Sequence, residues 1–315
     1  CKDKKQYYEE SGTVFHTLYT IKYEAPHILT DKIDAELQKF NLSLNPFNPN
    51  SIIAKVNNNE AVEVDEWFTE VFNKSMEVSR NSDGVFDITC APLVNLWGFG
   101  FNKKDSVTPA MIDSLKTFVG YRKVHLEGKK VVKDDPRLLL NCSAIAKGYS
   151  CDVIARLLEK EGVENYMILI GGEVVVKGVN QNGVCWRTNL PEDDPDGIKN
   201  NYDEIVQLCK KGAIATSGNY RNFYIKDGKK YAHTIDPRTG YPAEQSVLSA
   251  TIVANDCMTA DAYATAFMAM GLEKARQMAD SLPEIEYYVI YADENGKHQI
   301  EYSKGMLQYL PKRKQ

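Results

Sequence analysis

Residues 231–242 read Tyr-Ala-His-Thr-Ile-Asp-Pro-Arg-Thr-Gly-Tyr-Pro, which places an imidazole, a carboxylate and a guanidinium in one segment that must turn. The first five residues can form a strand, whereas Asp236-Pro237 and the glycine and proline that follow prevent regular structure from resuming at once. His233 is therefore expected at the end of a strand, beside a rigid loop. Taken alone, the segment fits an ordinary hairpin turn with a hydrogen-bonded histidine better than a functional site.

The composition is that of an ordinary globular protein with one large domain or two. The 315 residues are 43% hydrophobic and 26% charged, with a formal net charge of -5, and a chain of this length can bury a sizeable core. Apart from its short ends, the sequence has no block of Lys and Arg, which argues against a nucleic-acid partner. No apolar run reaches the length that a membrane span requires.

The sequence begins at Cys1, which a polar, Lys-rich stretch follows. A mature chain of this kind is typical of a bacterial lipoprotein, in which the first cysteine carries the lipid. The alternative is a chain boundary that falls before a cysteine by coincidence. On the lipoprotein interpretation, residues 1–11 are a tether, and residues 12–315 form the functional domain, as one unit or as two subdomains. The lipid would hold this domain on the periplasmic side of a bacterial membrane.

The other six cysteines show no CxxC pair and no metal-binding spacing, and most of them lie in apolar surroundings. They are Cys90, Cys142, Cys151, Cys185, Cys209 and Cys257. We therefore expect buried free thiols in preference to a disulfide framework.

The order of helical and strand patterns predicts an α+β fold with mixed or antiparallel sheets and flanking helices. Apolar residues at helical spacing predict helices over residues 27–40, 64–82, 109–119, 256–271 and 272–282, and a further helix that ends at Gly162. Residues 84–101 are too irregular for a helix and too rich in Gly and Pro for a simple strand. Strands are expected at residues 18–23, 166–170, 173–179, 184–189, 205–208, 213–218, 221–225 and 247–254, with hairpins that turn at Glu127-Gly128 and Asn295-Gly296.

Residues 141–152, Asn-Cys-Ser-Ala-Ile-Ala-Lys-Gly-Tyr-Ser-Cys-Asp, join a strand to a helix. Small residues at such a junction let a ligand approach the backbone, and the unpaired amides of the helix N-terminus can bind an anion. A tight junction that needs small residues for packing alone is an alternative of similar weight.

Residues 256–271, Asp-Cys-Met-Thr-Ala-Asp-Ala-Tyr-Ala-Thr-Ala-Phe-Met-Ala-Met-Gly, form a predicted amphipathic helix. Asp261 and Thr265 are four residues apart, so their side chains share one face of it. Carboxylate and hydroxyl oxygens suit magnesium better than zinc. Alternatively, Asp261 only complements the helix dipole while Thr265 packs.

Four segments together resemble those of one family. They are residues 84–100 (Gly-Val-Phe-Asp-Ile-Thr-Cys-Ala-Pro-Leu-Val-Asn-Leu-Trp-Gly-Phe-Gly), residues 141–152, residues 215–220 (Ala-Thr-Ser-Gly-Asn-Tyr) and residues 233–242. In this order they resemble the motifs of the ApbE-type flavin transferases, or FAD:protein FMN transferases, which move FMN from FAD onto a threonine of a partner protein. Weaker matches at residues 13–19, 47–57 and 260–271 extend the resemblance over nearly all of residues 12–271.

The resemblance implies a fold and a set of site residues. It implies an FAD site formed by Phe15, Phe47, Asn57, Val85, Phe86, Asp87, Asn141, Lys147 and Ile235. It also implies a magnesium site formed by the backbone carbonyl of Ala144 and the side chains of Asp261 and Thr265. The chain departs from the family at several positions: Phe15 replaces Met, Phe47 replaces Tyr, Asn141 replaces Asp, and Ala264 stands where some members have a further Asp. The lower negative charge should weaken the bare metal site, so the FAD phosphates would have to complete it.

The implied reaction needs a base, and His233 is the best candidate because an unperturbed imidazole titrates near neutrality. Lys147 is a candidate for phosphate charge and Arg238 for ordering the loop. The implied partners are FAD, a flavin-accepting protein and, through Cys1, a membrane. Two other functions would use the same pocket: a metal-dependent FAD diphosphatase that gives FMN and AMP, and a non-catalytic FAD-binding lipoprotein.

Overall fold

The computed structural model describes residues 4–98, 107–190, 205–218, 223–226, 229–232, 234–243 and 246–310. It confirms the α+β fold. The strands of the described part are β1 (Gln6–Val14), β2 (Thr17–Ala25), β3 (Val124–Glu127), β4 (Lys130–Lys133), β5 (Tyr166–Ile170), β6 (Glu173–Lys177), β7 (Trp186–Asn189), β8 (Ile205–Leu208), β9 (Gly212–Gly218), β10 (Phe223–Lys226), β11 (Lys229–Ala232), β12 (Ile235–Asp236), β13 (Tyr241–Pro242), β14 (Val247–Ala254), β15 (Ile285–Ala292) and β16 (His298–Tyr302).

Helices cover one face of the main sheet, and the β7–β8 hairpin covers the other. The helices are α1 (Thr30–Leu44), α2 (Ile52–Asn57), α3 (Glu66–Asn81), α4 (Ala91–Leu96), α5 (Pro109–Lys116), α6 (Ala146–Lys160), α7 (Cys257–Met270) and α8 (Leu272–Asp280). Within the described ranges, no helix is both long and apolar enough to cross a bilayer.

One eight-stranded sheet, in the order β1-β2-β5-β6-β9-β14-β15-β16, organises the molecule. Every neighbouring pair in it is antiparallel. Its central strands β6, β9 and β14 are buried along most of their length, as expected for strands covered on both faces. The sheet therefore fixes the positions of the loops and helix ends that carry the predicted site residues.

Several predicted elements are confirmed residue by residue, and others differ. The strands at residues 166–170 and 247–254 and both predicted hairpins are present. Residues 84–101 were expected to lack a helix, but residues 91–96 form α4, which begins beside Pro92, because proline is tolerated in the first turn of a helix. Strand β1 was not predicted. It pairs with β2 from Gln6 onwards, so residues 6–11, assigned to the tether, belong to the sheet.

The expectation of free thiols is wrong for one pair. Cys185 and Cys209 form a disulfide with a Cα–Cα distance of 4.5 Å. They flank the paired strands β7 and β8, in which Trp186 lies opposite Leu208. The two cysteines are 24 residues apart in sequence, and only the register of β7 and β8 brings them together. The disulfide therefore could not be predicted from their spacing. Cys90, Cys142, Cys151 and Cys257 are free thiols, and the last three are buried, as expected.

Helix α7 lies at the centre of the fold. It was predicted to be amphipathic, but it is buried on nearly all sides. It packs against β9 and β14 on one side and against α3 and α6 on the other. All of its residues are buried except Thr265. The Asp152 carboxylate of α6 accepts the backbone N–H groups of Cys257 and Met258, each at 2.8 Å, which satisfies two unpaired donors at the N-terminus of α7. Asp256 caps the same end by accepting the Thr259 N–H at 2.8 Å.

Candidate functional site

The fold brings three of the four distant sequence segments into direct contact and joins the fourth, residues 215–220, to α7. The indole N–H of Trp97 donates to the Gly240 carbonyl at 2.8 Å, which joins segment 84–98 to loop 236–240. The Asn141 N–H donates to the Ile88 carbonyl at 2.7 Å, which joins segment 84–98 to the start of segment 141–152. Ser217 of β9 contacts Thr265 of α7 through their hydroxyls at 3.3 Å. One site can therefore draw on all four segments.

The first turn of α6 meets α7 at a glycine. The Gly148 N–H donates to Asp261 Oδ2 at 2.9 Å, and the Asp261 residue is only 4% exposed. A Cβ at position 148 would lie 2.3 Å from the Cys257 carbonyl oxygen and 2.7 Å from Asp261 Cβ. Glycine is thus required because the two helix backbones approach too closely for any side chain. The contact fixes one oxygen of the predicted metal-binding carboxylate.

Lys147 and Glu173 form an ion pair at this junction. Lys147 Nζ donates to Glu173 Oε1 at 2.5 Å. The Glu173 side chain is 3% exposed, whereas 36% of the Lys147 side chain is exposed. Burial lowers the pKa of Lys147, but the charges of Asp261 and Glu173 outweigh it, so the pKa lies above its usual range. Burial, together with the charge of Asp261, raises the pKa of Glu173 against the opposing effect of Lys147.

Asp261 is the second carboxylate of this cluster. Burial raises its pKa, and the positive charge of Lys147 and the Gly148 N–H oppose the change. Two buried carboxylates that share one lysine hold protons more tightly than isolated ones, because their like charges repel. The cluster therefore favours any additional cation that approaches Asp261. Thr265, one helical turn further along α7, is the only residue of that helix that is not fully buried.

Asn57 and Asn141 hold the backbone that leads into α6. The Asn57 amide donates to the Leu140 carbonyl at 2.9 Å and accepts the Leu140 N–H at 2.7 Å. Asn141 Oδ1 accepts the Ser143 N–H at 2.9 Å, just before Ala144. Asn57 thus has a clear role in positioning this segment. The Asn141 side chain stabilises the turn that contains Ala144.

Three of the predicted FAD residues lie in the core. Val85, Phe86 and Ile235 are at most 4% exposed, so their side chains pack inside the protein. Asp87 braces a turn: it accepts the Thr89 N–H at 2.8 Å and the Tyr121 N–H at 2.8 Å. Burial raises the Asp87 pKa, and these hydrogen bonds oppose the change. In this conformation, the side chains of Val85, Phe86 and Ile235 are not accessible to a ligand.

Phe15 and Phe47 lie near the tip of the β1–β2 hairpin. Phe15 and His16 both adopt positive φ, 50° and 59°, which is uncommon for residues other than glycine and concentrates at functional sites. The Phe15 ring lies 5.1 Å from that of Phe40. Phe47 is 52% exposed, and its ring meets that of His16 edge-on at 5.8 Å. Phe47 thus offers an accessible aromatic surface, whereas Phe15 packs towards the core.

The loop after residue 234 is ordered by Arg238, as predicted. Its guanidinium donates to both Asp236 oxygens at 3.0 and 2.9 Å and to Asp83 Oδ2 at 3.3 Å. This links the loop to the start of segment 84–98. His233, the predicted base, lies outside the described residues.

Comparison with known proteins identifies the family of this chain. A model of the ApbE family matches residues 15–289, which is most of the chain. The chain is a member of the ApbE family. Its sequence is 35% identical to the FAD:protein FMN transferase of Vibrio cholerae over 89% of this chain and 86% of that protein. It is 33% identical to the Escherichia coli K12 protein of the same name over 79% of this chain and 73% of that protein.

Solved structures of ApbE proteins share the fold. The flavin transferase ApbE from Vibrio cholerae superposes with a TM-score of 0.85 at 33% identity, covering 98% of this chain and 100% of that one. The apo form of the Pseudomonas stutzeri flavinyl transferase ApbE gives a TM-score of 0.85 at 26% identity, covering 97% of each chain.

Two polar residues of the site were not predicted from the sequence. Glu173 follows the Gly171-Gly172 turn after a buried strand, and only this glycine pair marked the position. Ser217 lies in a recognised motif but had no assigned role. Both acquire their partners, Lys147 and Thr265, from other elements of the fold.

Proposed function

We propose that this ApbE protein transfers FMN from FAD to a threonine hydroxyl of an acceptor protein and releases AMP. Relatives of 33–35% identity carry the name of this activity. The observation that carries the proposal is the Lys147 ammonium, partly exposed in the first turn of α6 and held beside the carboxylates of Glu173 and Asp261. A lysine and a helix N-terminus together attract a diphosphate.

The reaction is a phosphoryl transfer between two oxygens. The threonine oxygen attacks the FMN-side phosphorus of FAD, and the bond from that phosphorus to the oxygen of AMP breaks. In this proposal His233 takes the hydroxyl proton, and Lys147 offsets the charge of the diphosphate. Arg238 holds the loop that follows His233 through Asp236 and Asp83. Positioning and charge compensation are the main contributions that such a reaction needs from the protein.

The donor set suits magnesium. Asp261 offers a buried carboxylate, Thr265 a hydroxyl and Ala144 a backbone carbonyl, all of them hard oxygen ligands. Burial raises the pKa of Asp261, and a divalent cation would stabilise its charged form. When bound, magnesium would neutralise charge on the diphosphate and on the departing AMP.

Mixing the protein with FAD and magnesium, with and without an acceptor, tests the proposal. We expect AMP release together with flavin fluorescence on the acceptor band in a denaturing gel. AMP and FMN released without an acceptor at the same rate would favour the diphosphatase. FAD binding without AMP in either arm would favour a storage protein.

Asp261→Asn tests the metal assignment. It keeps the shape of the side chain and removes the charge, so we expect at least a tenfold higher magnesium requirement for AMP release. The fold should survive, because the amide oxygen can still accept the Gly148 N–H. Titrating magnesium against AMP release in both proteins provides the measurement. If Asp261 only complements the helix dipole, the two curves will superimpose.

An oxidising, extracytoplasmic compartment is part of the proposal. Disulfides persist in such compartments and are rare in the cytosol, and Cys185–Cys209 is bridged. Alkylating the unfolded protein from its native host should label two fewer cysteines without reduction than after it. Equal labelling would contradict the proposed compartment.

The lipid on Cys1 stays a prediction of the sequence. The proposed acceptor is a protein of the same host that carries the threonine to be modified.

A further inference from the structure

Glu173 is a buried acid that packing does not explain. It begins β6 directly after the Gly171-Gly172 turn, and its residue is 2% exposed. Its Oε1 accepts from Lys147, whereas Oε2 is buried and has no hydrogen-bond partner among the described residues. Burying a carboxylate with one unpaired oxygen is costly, and apolar residues commonly replace buried ion pairs without loss of stability. A functional role for Glu173 would explain why the protein keeps a buried carboxylate at this energetic cost.

The turn before Glu173 leaves room for the pair. Gly171 has a φ of +63°, and a Cβ there would lie 3.2 Å from both Glu173 Oε2 and Lys147 Cδ. The Thr17 methyl carbon of the β1–β2 hairpin would be equally close, at 3.1 Å. The Lys147 stem thus lies against the glycine turn and Glu173. Its ammonium stays partly exposed.

An anchored lysine binds an anion better than a mobile one. An ammonium has three N–H donors and Glu173 Oε1 uses one of them, so the others can reach a ligand. A free lysine side chain has many rotamers, and fixing them on binding reduces affinity. Glu173 holds the Lys147 side chain in one conformation before a ligand binds, so most of this conformational entropy is not lost on binding.

We propose that Glu173 is a positioning residue that holds the Lys147 ammonium where it meets the diphosphate of FAD. The inference rests on the proposed function and adds a residue to it. Glu173 acts through its hydrogen bond and not through its charge, because a negative charge near the diphosphate would weaken FAD binding.

Two matched variants separate the hydrogen bond from the charge. Glu173→Asp keeps the carboxylate but withdraws it from Lys147 by one methylene, whereas Glu173→Gln keeps an oxygen at the same reach and removes the charge. We expect Glu173→Asp to raise the FAD dissociation constant and the KM for FAD about tenfold, with kcat within about threefold. Glu173→Gln should stay within about threefold of wild type on all three. Flavin fluorescence gives the dissociation constant, and thermal unfolding verifies folding.

A double-mutant cycle shows whether Glu173 acts through Lys147. In a Lys147→Met background, Glu173→Asp should not weaken FAD binding further, because the group that it positions is gone. A further loss there would overturn the inference, as would equal losses in Glu173→Asp and Glu173→Gln, or wild-type affinity in Glu173→Asp. These results leave the proposed function intact if wild type transfers FMN. A wild-type protein that neither binds FAD nor transfers FMN would overturn both.

Discussion

Replacing His233 by alanine should slow FMN transfer to the acceptor by about a hundredfold or more, the usual contribution of a general base. Without an imidazole, the attacking threonine must lose its proton to water. FAD binding should remain within about threefold of wild type, because the proposed diphosphate contacts are made by Lys147 and α6. Single-turnover transfer from bound FAD measures the chemical step apart from binding.

A control histidine is available in the same chain. His27 is exposed just ahead of α1, and His27→Ala should transfer FMN at the wild-type rate. If His233→Ala also does so, His233 has no part in the mechanism. If His233→Ala loses FAD binding and transfer in equal proportion, its role is in binding and not in proton transfer.

Gly148→Ala should destabilise the protein by about 3 kcal/mol, the upper end of the range of about 1–3 kcal/mol that overpacked cores typically lose. The added methyl group would meet the Cys257 carbonyl oxygen at 2.3 Å, so α6 and α7 must move apart. Alanine favours helices over glycine, which makes a loss of stability here diagnostic of the contact. Urea unfolding gives the free energy, and the magnesium requirement of the folded fraction should also rise because Asp261 loses its partner.

Gly212→Ala is the matched control. It adds the same methyl group to β9, where the nearest neighbour is a Leu208 side-chain carbon at an ordinary 3.5 Å. Its free energy of unfolding should lie within about 1 kcal/mol of wild type, the span of strand propensities. Similar stabilities for the two variants would mean that α6 and α7 do not approach as closely as described.

Local sequence was sufficient for most elements of the fold. Strands β5 and β14 were predicted to the residue, because apolar runs between turn residues identify buried strands. The i, i+4 spacing of Asp261 and Thr265 placed them on one helical face without knowledge of the fold. Strand β1 was missed because its alternation is polar and its stability comes from pairing with β2. A tether and an edge strand of that composition look alike in sequence.

The sequence by itself determined the fold class and the family, and it predicted residues able to do the chemistry. Side-chain type and short-range spacing are local properties, so a motif such as Ile-Ala-Lys-Gly-Tyr can be recognised without knowledge of the fold. Only the tertiary structure determined which distant residues contact each other. It paired Lys147 with Glu173 and Gly148 with Asp261, and it bridged Cys185 to Cys209. These contacts join residues 24 to 113 positions apart, and only strand register and helix packing set such distances.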